Sequence, residues 1–163
     1  MQVLKNLYQV GGDLNGVTFD LKGALWNDAN SYILQTPEGL ILFDCGCGDT
    51  VDRIVTEGDI LQLFGSEIEV MHFPGHSMGC TAFSFMHEQK HVVVSGDIIG
   101  TLLAGDFGWD GSIDFNKKIY TESLRRFAQI DMDIMLPGHG LIYFHKPQWR
   151  IEEALNSALI QWR

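Results

Sequence analysis

No histidine stands before His72 in this 163-residue chain, which is also poor in cysteine and proline and carries no excess of positive charge. Each shortage excludes something. All six histidines fall in the later part of the chain, so any chemistry that needs imidazole is confined there. Lysine and arginine number 11 against 21 acidic residues, a formal charge of −10. A field of that sign repels nucleic acid and anionic membrane, and neither is an expected partner. No apolar run approaches the roughly 20 residues needed to cross a bilayer. The opening MQVLKNLYQVGG has one lysine, no long apolar core and no small-residue cleavage site, and does not read as a secretory signal. Three cysteines, Cys45, Cys47 and Cys80, are an odd count without disulfide-framework spacing. Free thiols in a reducing cytoplasm are the simplest reading, so the expected compartment is cytoplasmic.

What is present is ordinary globular material. Apolar residues make up 45% and charged residues 20%, enough to bury one core and too short for two, which predicts a single domain over residues 1–163. Short β-like runs fill the first two thirds. Residues 3–10 and 31–36 alternate apolar with polar, and Leu40–Phe43 is a continuous apolar run that ends on Asp44. Pro37-Glu38-Gly39 reads as the turn between two runs. Residues 60–64, 68–73, 81–86 and 91–95 continue the pattern, with turns at Gly65-Ser66 and Glu88-Gln89-Lys90. Amphipathic spacing predicts one helix over 116–130, with Ile119, Leu124, Phe127 and Ala128 on its stripe. A second helix is predicted over 147–162, opened by Pro147 and striped by Ile151, Leu155 and Leu159. A short strand at 134–136 lies between them. The glycine-rich stretch 100–114 reads as a long loop, and loops of that length are often functional.

One device occurs twice. Phe73-Pro-Gly-His76-Ser and Leu136-Pro-Gly-His139-Gly each place a histidine directly after an apolar strand and a Pro-Gly pair. Proline stops the ladder and glycine turns the chain, so the imidazole leaves the sheet edge in a fixed direction. Between them, Val92-Val-Val-Ser-Gly-Asp97 ends a third strand on a carboxylate. Strand ends that present His, Asp and His suit a metal ion, because Zn²⁺ and Fe²⁺ accept imidazole nitrogen and carboxylate oxygen. The plainer alternative is that Pro-Gly and Gly-Asp are common turn pairs. That serves for any one of the three, and poorly for the set in this order.

With these motifs the chain resembles the metallo-β-lactamase superfamily, above all its glyoxalase II-type hydrolases. Asn30-Ser-Tyr-Ile-Leu and Leu40-Ile-Leu-Phe-Asp44-Cys-Gly resemble the family's opening hairpin and first motif. His72-Phe-Pro-Gly-His76-Ser, Ser95-Gly-Asp97 and Leu136-Pro-Gly-His139-Gly resemble its third, fourth and fifth motifs. The likeness runs from about Tyr8 to the C-terminus. It implies an α/β fold, the αββα sandwich of two mainly antiparallel sheets with helices outside. It also implies His76, Asp97 and His139 as metal ligands. Two ions sharing Asp97 would activate a water against an ester, thioester, lactam or phosphoester.

The departure is equally specific. The family's second motif, His-x-His-x-Asp-His, belongs between Asp44 and His76, and that interval holds no histidine but His72. Four ligands and the strand and helices that carry them are thus missing, as after an internal deletion. The expectation is at most one Zn²⁺ or Fe²⁺, weakly bound, with Asp97 the catalytic residue because both half-sites share it. The substrate would be a small molecule and turnover low. The alternative is a catalytically inert scaffold or interaction module derived from such a hydrolase. The surface left by the deletion would be apolar and favour a homo-oligomer.

Other candidates weigh less. His87-Glu-Gln-Lys-His91 spells the zinc-protease pattern, which works only on a helix, and its flanks here are β-like. It reads as a hairpin that holds no metal. His72 reads as structural and His145 as a surface residue. Cys45 and Cys47 fall where a loop enters the site, and Asp44 would orient backbone around it. Trp26, Trp109, Trp149 and Trp162 read as core or rim.

Overall fold

A computed structural model describes residues 1–10, 18–19, 25–26, 30–43, 55–99 and 114–163, with 18–19 and 25–26 as backbone only. Asp44, Cys45, Cys47, Trp109 and the side chain of Trp26 lie outside the described residues, as does nearly all of the glycine-rich stretch. The first alternating run is two strands, β1 (Gln2–Leu4) and β2 (Leu7–Gln9), paired antiparallel. The correction has a local cause: Asn6 takes φ 62°, a left-handed turn conformation that a straight strand does not contain. Two-residue strands β3 (Thr18–Phe19) and β4 (Leu25–Trp26) pair with each other. Strands β5 (Tyr32–Gln35) and β6 (Leu40–Phe43) complete a four-stranded sheet in the order β1-β2-β5-β6.

The second sheet holds β7 (Ile60–Leu63), β8 (Ser66–His72), β9 (Thr81–His87), β10 (Lys90–Gly96) and β11 (Ile134–Pro137). Its order is β11-β10-β9-β8-β7, antiparallel except for the parallel pair β10–β11. The β9–β10 register pairs His87 with Lys90 and His91 with Met86, so the protease-like pentapeptide is a hairpin tip. His91 meets Ser84 at 2.6 Å, whereas His87 meets the Lys5 carbonyl at 2.5 Å. The two rings serve different neighbours.

Two helices follow, α1 (Lys117–Phe127) and α2 (Pro147–Gln161). Asn116 caps α1 by accepting from the Ile119 amide, and Arg125 and Arg126 in its last turn face the negative end of its dipole. Its buried face is Tyr120, Ser123, Leu124 and Phe127; Leu124 and Phe127 are where the expected stripe puts them, Ile119 and Ala128 are half-buried at its edge, and Tyr120 and Ser123 join it. In α2 the buried face is Pro147, Arg150, Ile151, Ala154 and Ala158. Alanines hold positions where bulk was expected, because they let the helix lie close.

The alternation along the strands sorts side chains into two cores. Leu7, Tyr32, Leu34, Ile41 and Phe43 meet Ile68, Val70, Phe85, Val92, Val94, Ile134 and Leu136 between the sheets. On the far face of the five-stranded sheet, Met71, Phe73, Ala82, Val93 and Met135 meet Tyr120, Leu124, Phe127, Ile151, Ala154 and Ala158. Both described helices cover that face. On the outer face of β6, Leu40 and Leu42 stay exposed.

Among the described glycines, Gly75 makes the tightest approach. At φ +132°, a Cβ there would stand 2.3 Å from Tyr120 Cα, a backbone atom that has nowhere to go. Gly79, four residues on, has no heavy atom within 4 Å of its would-be Cβ. Gly75→Ala is therefore expected to cost about 2–4 kcal/mol, from overpacking plus a disfavoured backbone conformation. Gly79→Ala is expected to stay within about 1 kcal/mol of the parent. Urea unfolding of both variants checks the pair, and equal stabilities would contradict the close approach.

Candidate metal centre

Four consecutive strands of the second sheet bring four donor side chains to one edge. His139 follows β11, Asp97 follows β10, Cys80 precedes β9 and His76 follows β8. Because the sheet order is β11-β10-β9-β8, the row along that edge runs His139, Asp97, Cys80, His76. Neighbouring strands lie about 4.8 Å apart, and along this row the contacts are His139 with Asp97 and Cys80 with His76.

The loops are held from outside the sheet. Ser123 of α1 donates to the Pro74 carbonyl at 2.6 Å, the Asn116 amide donates to the Gly75 carbonyl at 2.9 Å, and the Met78 amide donates to the Asp114 carboxylate at 2.8 Å. These fix the His76 loop. Tyr120 Oη donates to the Ile98 carbonyl at 2.6 Å and fixes the turn that carries Asp97. The His139 loop is held by the other sheet: Asn30 donates through Nδ2 to the carbonyls of Pro137 (3.0 Å) and Gly140 (3.2 Å), and Tyr32 Oη to Pro137 (2.8 Å). Gln9 orients Asn30 through a 2.7 Å hydrogen bond.

Asp97 and His139 come together, with Oδ1 and Nε2 3.5 Å apart. Both side chains are about one third exposed, yet the Oδ1 atom itself is buried and accepts no hydrogen bond from any described residue. A buried carboxylate oxygen left in that state is costly unless a cation or proton donor meets it. Gly138 makes the arrangement possible, since a Cβ there would lie 2.4 Å from that same Oδ1. His76 does not join this pair. Its Nδ1 faces Cys80 Sγ at 3.6 Å, and its ring stands edge-on to Tyr120. His76 and Asp97 nevertheless line one cavity of about 360 Å³ with Ser77, Cys80 and the apolar wall Phe43, Phe83 and Val94. Among the described residues no three His, Cys, Asp or Glu side chains gather around one point.

The fit to a metal is therefore partial. The donor chemistry suits Zn²⁺ or Fe²⁺, and the buried Asp97 oxygen, with no hydrogen bond from a described residue, could accept a cation beside His139. The donors stand in two pairs rather than one cluster. Cys80 was read from the sequence only as a free thiol, although its place four residues after His76, in the same loop, was a usable signal. His72 meets the Met78 carbonyl at 2.7 Å, and His145 is exposed. Trp149 is exposed, and Trp162 packs against Phe115 and Tyr120.

Comparison with known proteins bears on the fold. No family model matches the chain. A metallo-beta-lactamase from Pontibacter korlensis superposes with a TM-score of 0.76 at 14% identity, covering 98% of this chain and 97% of that one. The chain has the metallo-β-lactamase fold. Two curated relatives add sequence likeness. Acyl-coenzyme A thioesterase MBLAC2 of Gallus gallus is 32% identical over 96 residues, covering 53% of this chain and 31% of the relative. Hydroxyacylglutathione hydrolase GloC of Haemophilus influenzae is 31% identical over 106 residues, covering 62% and 46%. The chain thus spans less than half the length of either curated relative it matches. No described helix is long and apolar enough to cross a membrane.

Burial pushes the Cys80 thiol up from its ordinary range; hydrogen bonds from Ser77 pull it back, and the Asp97 and Asp114 charges push it further. The neutral thiol is the favoured form, so alkylation of Cys80 by iodoacetamide should be slow near pH 7. Its rate should keep rising with pH beyond the point where an unhindered cysteine has levelled off. Peptide mapping by mass spectrometry isolates Cys80 from Cys45 and Cys47. Rapid, pH-independent labelling would mean that His76 holds a thiolate there.

Proposed function

We propose that this chain is a metal-dependent hydrolase of acyl bonds, ester or thioester in type, working through activated water at low turnover. The observation that carries the reading is Asp97, which lines the same cavity as His76 and holds a buried Oδ1 that meets no hydrogen-bond donor among the described residues, 3.5 Å from His139 Nε2. The ligands in this reading are His76, Asp97 and His139, with Zn²⁺ or Fe²⁺ as the ion, held weakly because the donors stand in separate pairs. A divalent ion there supplies polarisation of the acyl carbonyl and acidifies water.

The chain's own groups do the rest. Asp97 would help to hold the cation, and its carboxylate is the group placed to accept a proton from the attacking water. Phe43, Phe83 and Val94 give the cavity an apolar side where the acyl part would lie and exclude water from it. Support for a thiol-linked acyl substrate comes from the two curated relatives, one named for acyl-coenzyme A and the other for hydroxyacylglutathione. The reading of an inert scaffold draws on the lack of a three-donor cluster among the described residues.

Steady-state assays on acyl-coenzyme A and acylated glutathione, with added Zn²⁺ or Fe²⁺, separate these readings. The expected rate lies above background and below the roughly 1–1,000 per second of ordinary enzymes. It should vanish with a chelator and in Asp97→Ala. No metal-dependent hydrolysis would favour the scaffold, and turnover in the ordinary range would show that the site is complete.

A further inference from the structure

We infer that two copies of this chain associate through β6, the end strand of the four-stranded sheet, pairing antiparallel about Ile41. The strand is Leu40-Ile41-Leu42-Phe43 and holds no polar or charged side chain. The order β1-β2-β5-β6 ends on it, and among the described residues no strand pairs with its outer edge. An open apolar edge invites another strand, so end strands are normally kept short, charged, kinked or covered. The other end strands are protected in these ways. Strand β1 has three residues and runs into Lys5, whereas β7 contains Gln62 and follows Asp59. Strand β11 is buried along its whole length, and its Met135 is bridged by Tyr143.

Hydrogen-bond alternation decides which backbone groups of β6 face outward. The Thr36 amide donates to the Gly39 carbonyl at 2.8 Å, so that pair closes the hairpin between β5 and β6. Bonded and non-bonded pairs then alternate along an antiparallel ladder. In this register Leu34–Ile41 and Tyr32–Phe43 are the bonded pairs, and Gln35–Leu40 and Ile33–Leu42 are not. The Gln35 amide has the matching phase: it donates to the Asn6 carbonyl at 2.7 Å, on the β2 side. Leu40 and Leu42 therefore turn their amides and carbonyls away from β5. They are also the exposed side chains of the strand, at 61% and 57%.

A second copy fits this edge because Leu-Ile-Leu reads the same in both directions. With Ile41 opposite its own counterpart, each Leu40 lies opposite a Leu42 of the other copy. The two exchange both backbone hydrogen bonds and pack side by side on the outer face. Such a contact is isologous and closes at two copies, and main-chain hydrogen bonds give it affinity without a large buried area. Charge favours the same place. Copies that each carry −10 repel, and an uncharged strand lets them meet without opposing carboxylates. The acidic residues Glu38 and Asp44 lie beyond its two ends, so salt that screens them should tighten the association.

Analytical ultracentrifugation at about 0.15 M salt, joined to amide hydrogen exchange followed by nuclear magnetic resonance, tests the pairing. The chain is expected to sediment as a concentration-dependent dimer. Its Leu40 and Leu42 amides should gain protection as concentration rises, while the Ile41 amide is protected throughout. Leu40→Glu/Leu42→Glu sets carboxylate against carboxylate across the interface and should abolish the dimer. Leu40→Glu/Leu42→Lys loses the same two leucines but sets opposite charges face to face, and should keep it. Circular dichroism checks that both variants fold. A monomer at every concentration, a dimer that survives Leu40→Glu/Leu42→Glu, or one lost equally in both variants would overturn the inference. So would a dimer whose Leu40 and Leu42 amides stay unprotected, or one that weakens with salt. Amides protected at every dilution would give the edge to another segment of this chain, and would overturn it too.

Discussion

Backbone carbonyls at the ends of β8, β10 and β11 must find donors once the strands stop, and the whole site depends on where those donors come from. A buried carbonyl left without a partner costs about 1–3 kcal/mol, so three strand ends cannot simply fray into the core. Here Ser123 and Tyr120 of α1 satisfy Pro74 and Ile98, while Asn30 and Tyr32 of the opposite sheet satisfy Pro137. Each donor comes from a different layer than the strand it serves. The helix layer therefore sets the positions of His76 and Asp97, and the four-stranded sheet sets that of His139.

Tyr120 links these demands. Its backbone lies against Gly75, its hydroxyl holds Ile98, and its ring meets His76, Phe115 and Trp162. A single fully buried side chain thus couples the helix to two of the three loops that carry donors. Glycines do the complementary work. At Gly75 and Gly138 the chain passes so close to Tyr120 and Asp97 that a methyl group would collide. The Pro-Gly-His device is a means of close approach as much as a turn.

Much of this was legible in the sequence, and the remainder fails for identifiable reasons. Strands with a continuous apolar run, such as Leu40–Phe43, and helices with clear caps, such as the one begun by Asn116, appear where the sequence pattern puts them. The run 3–10 reads as one strand because nothing in its alternation marks Asn6 as a left-handed turn. The stripes hold at Leu124, Phe127 and Ile151 but are incomplete, because burial also follows close approach and hydrogen bonding, so Tyr120, Ser123 and Arg150 go inside while Ile119 and Leu155 stay half-buried. The same logic hides Asn30 and Tyr32: their partners lie more than 100 residues away, and no local pattern signals a contact that long. Strand ends told which residues could be donors, but not which donors would be neighbours.

That last question is answered by sheet order alone. Asp97 and His139 leave adjacent parallel strands, so their side chains meet; His76 leaves a strand two places from Asp97 and meets Cys80 instead. Every donor in the row comes from the five-stranded sheet, while the facing sheet contributes Phe43 to the cavity wall. A row of ligands along one edge can hold neighbours in pairs, but a closed shell around an ion needs a donor from across the cavity. The sequence offers no histidine before His72, so imidazole cannot come from the opposite sheet. Among the described residues, that one-sidedness, more than the identity of any single ligand, is what limits how tightly the site can grip a cation.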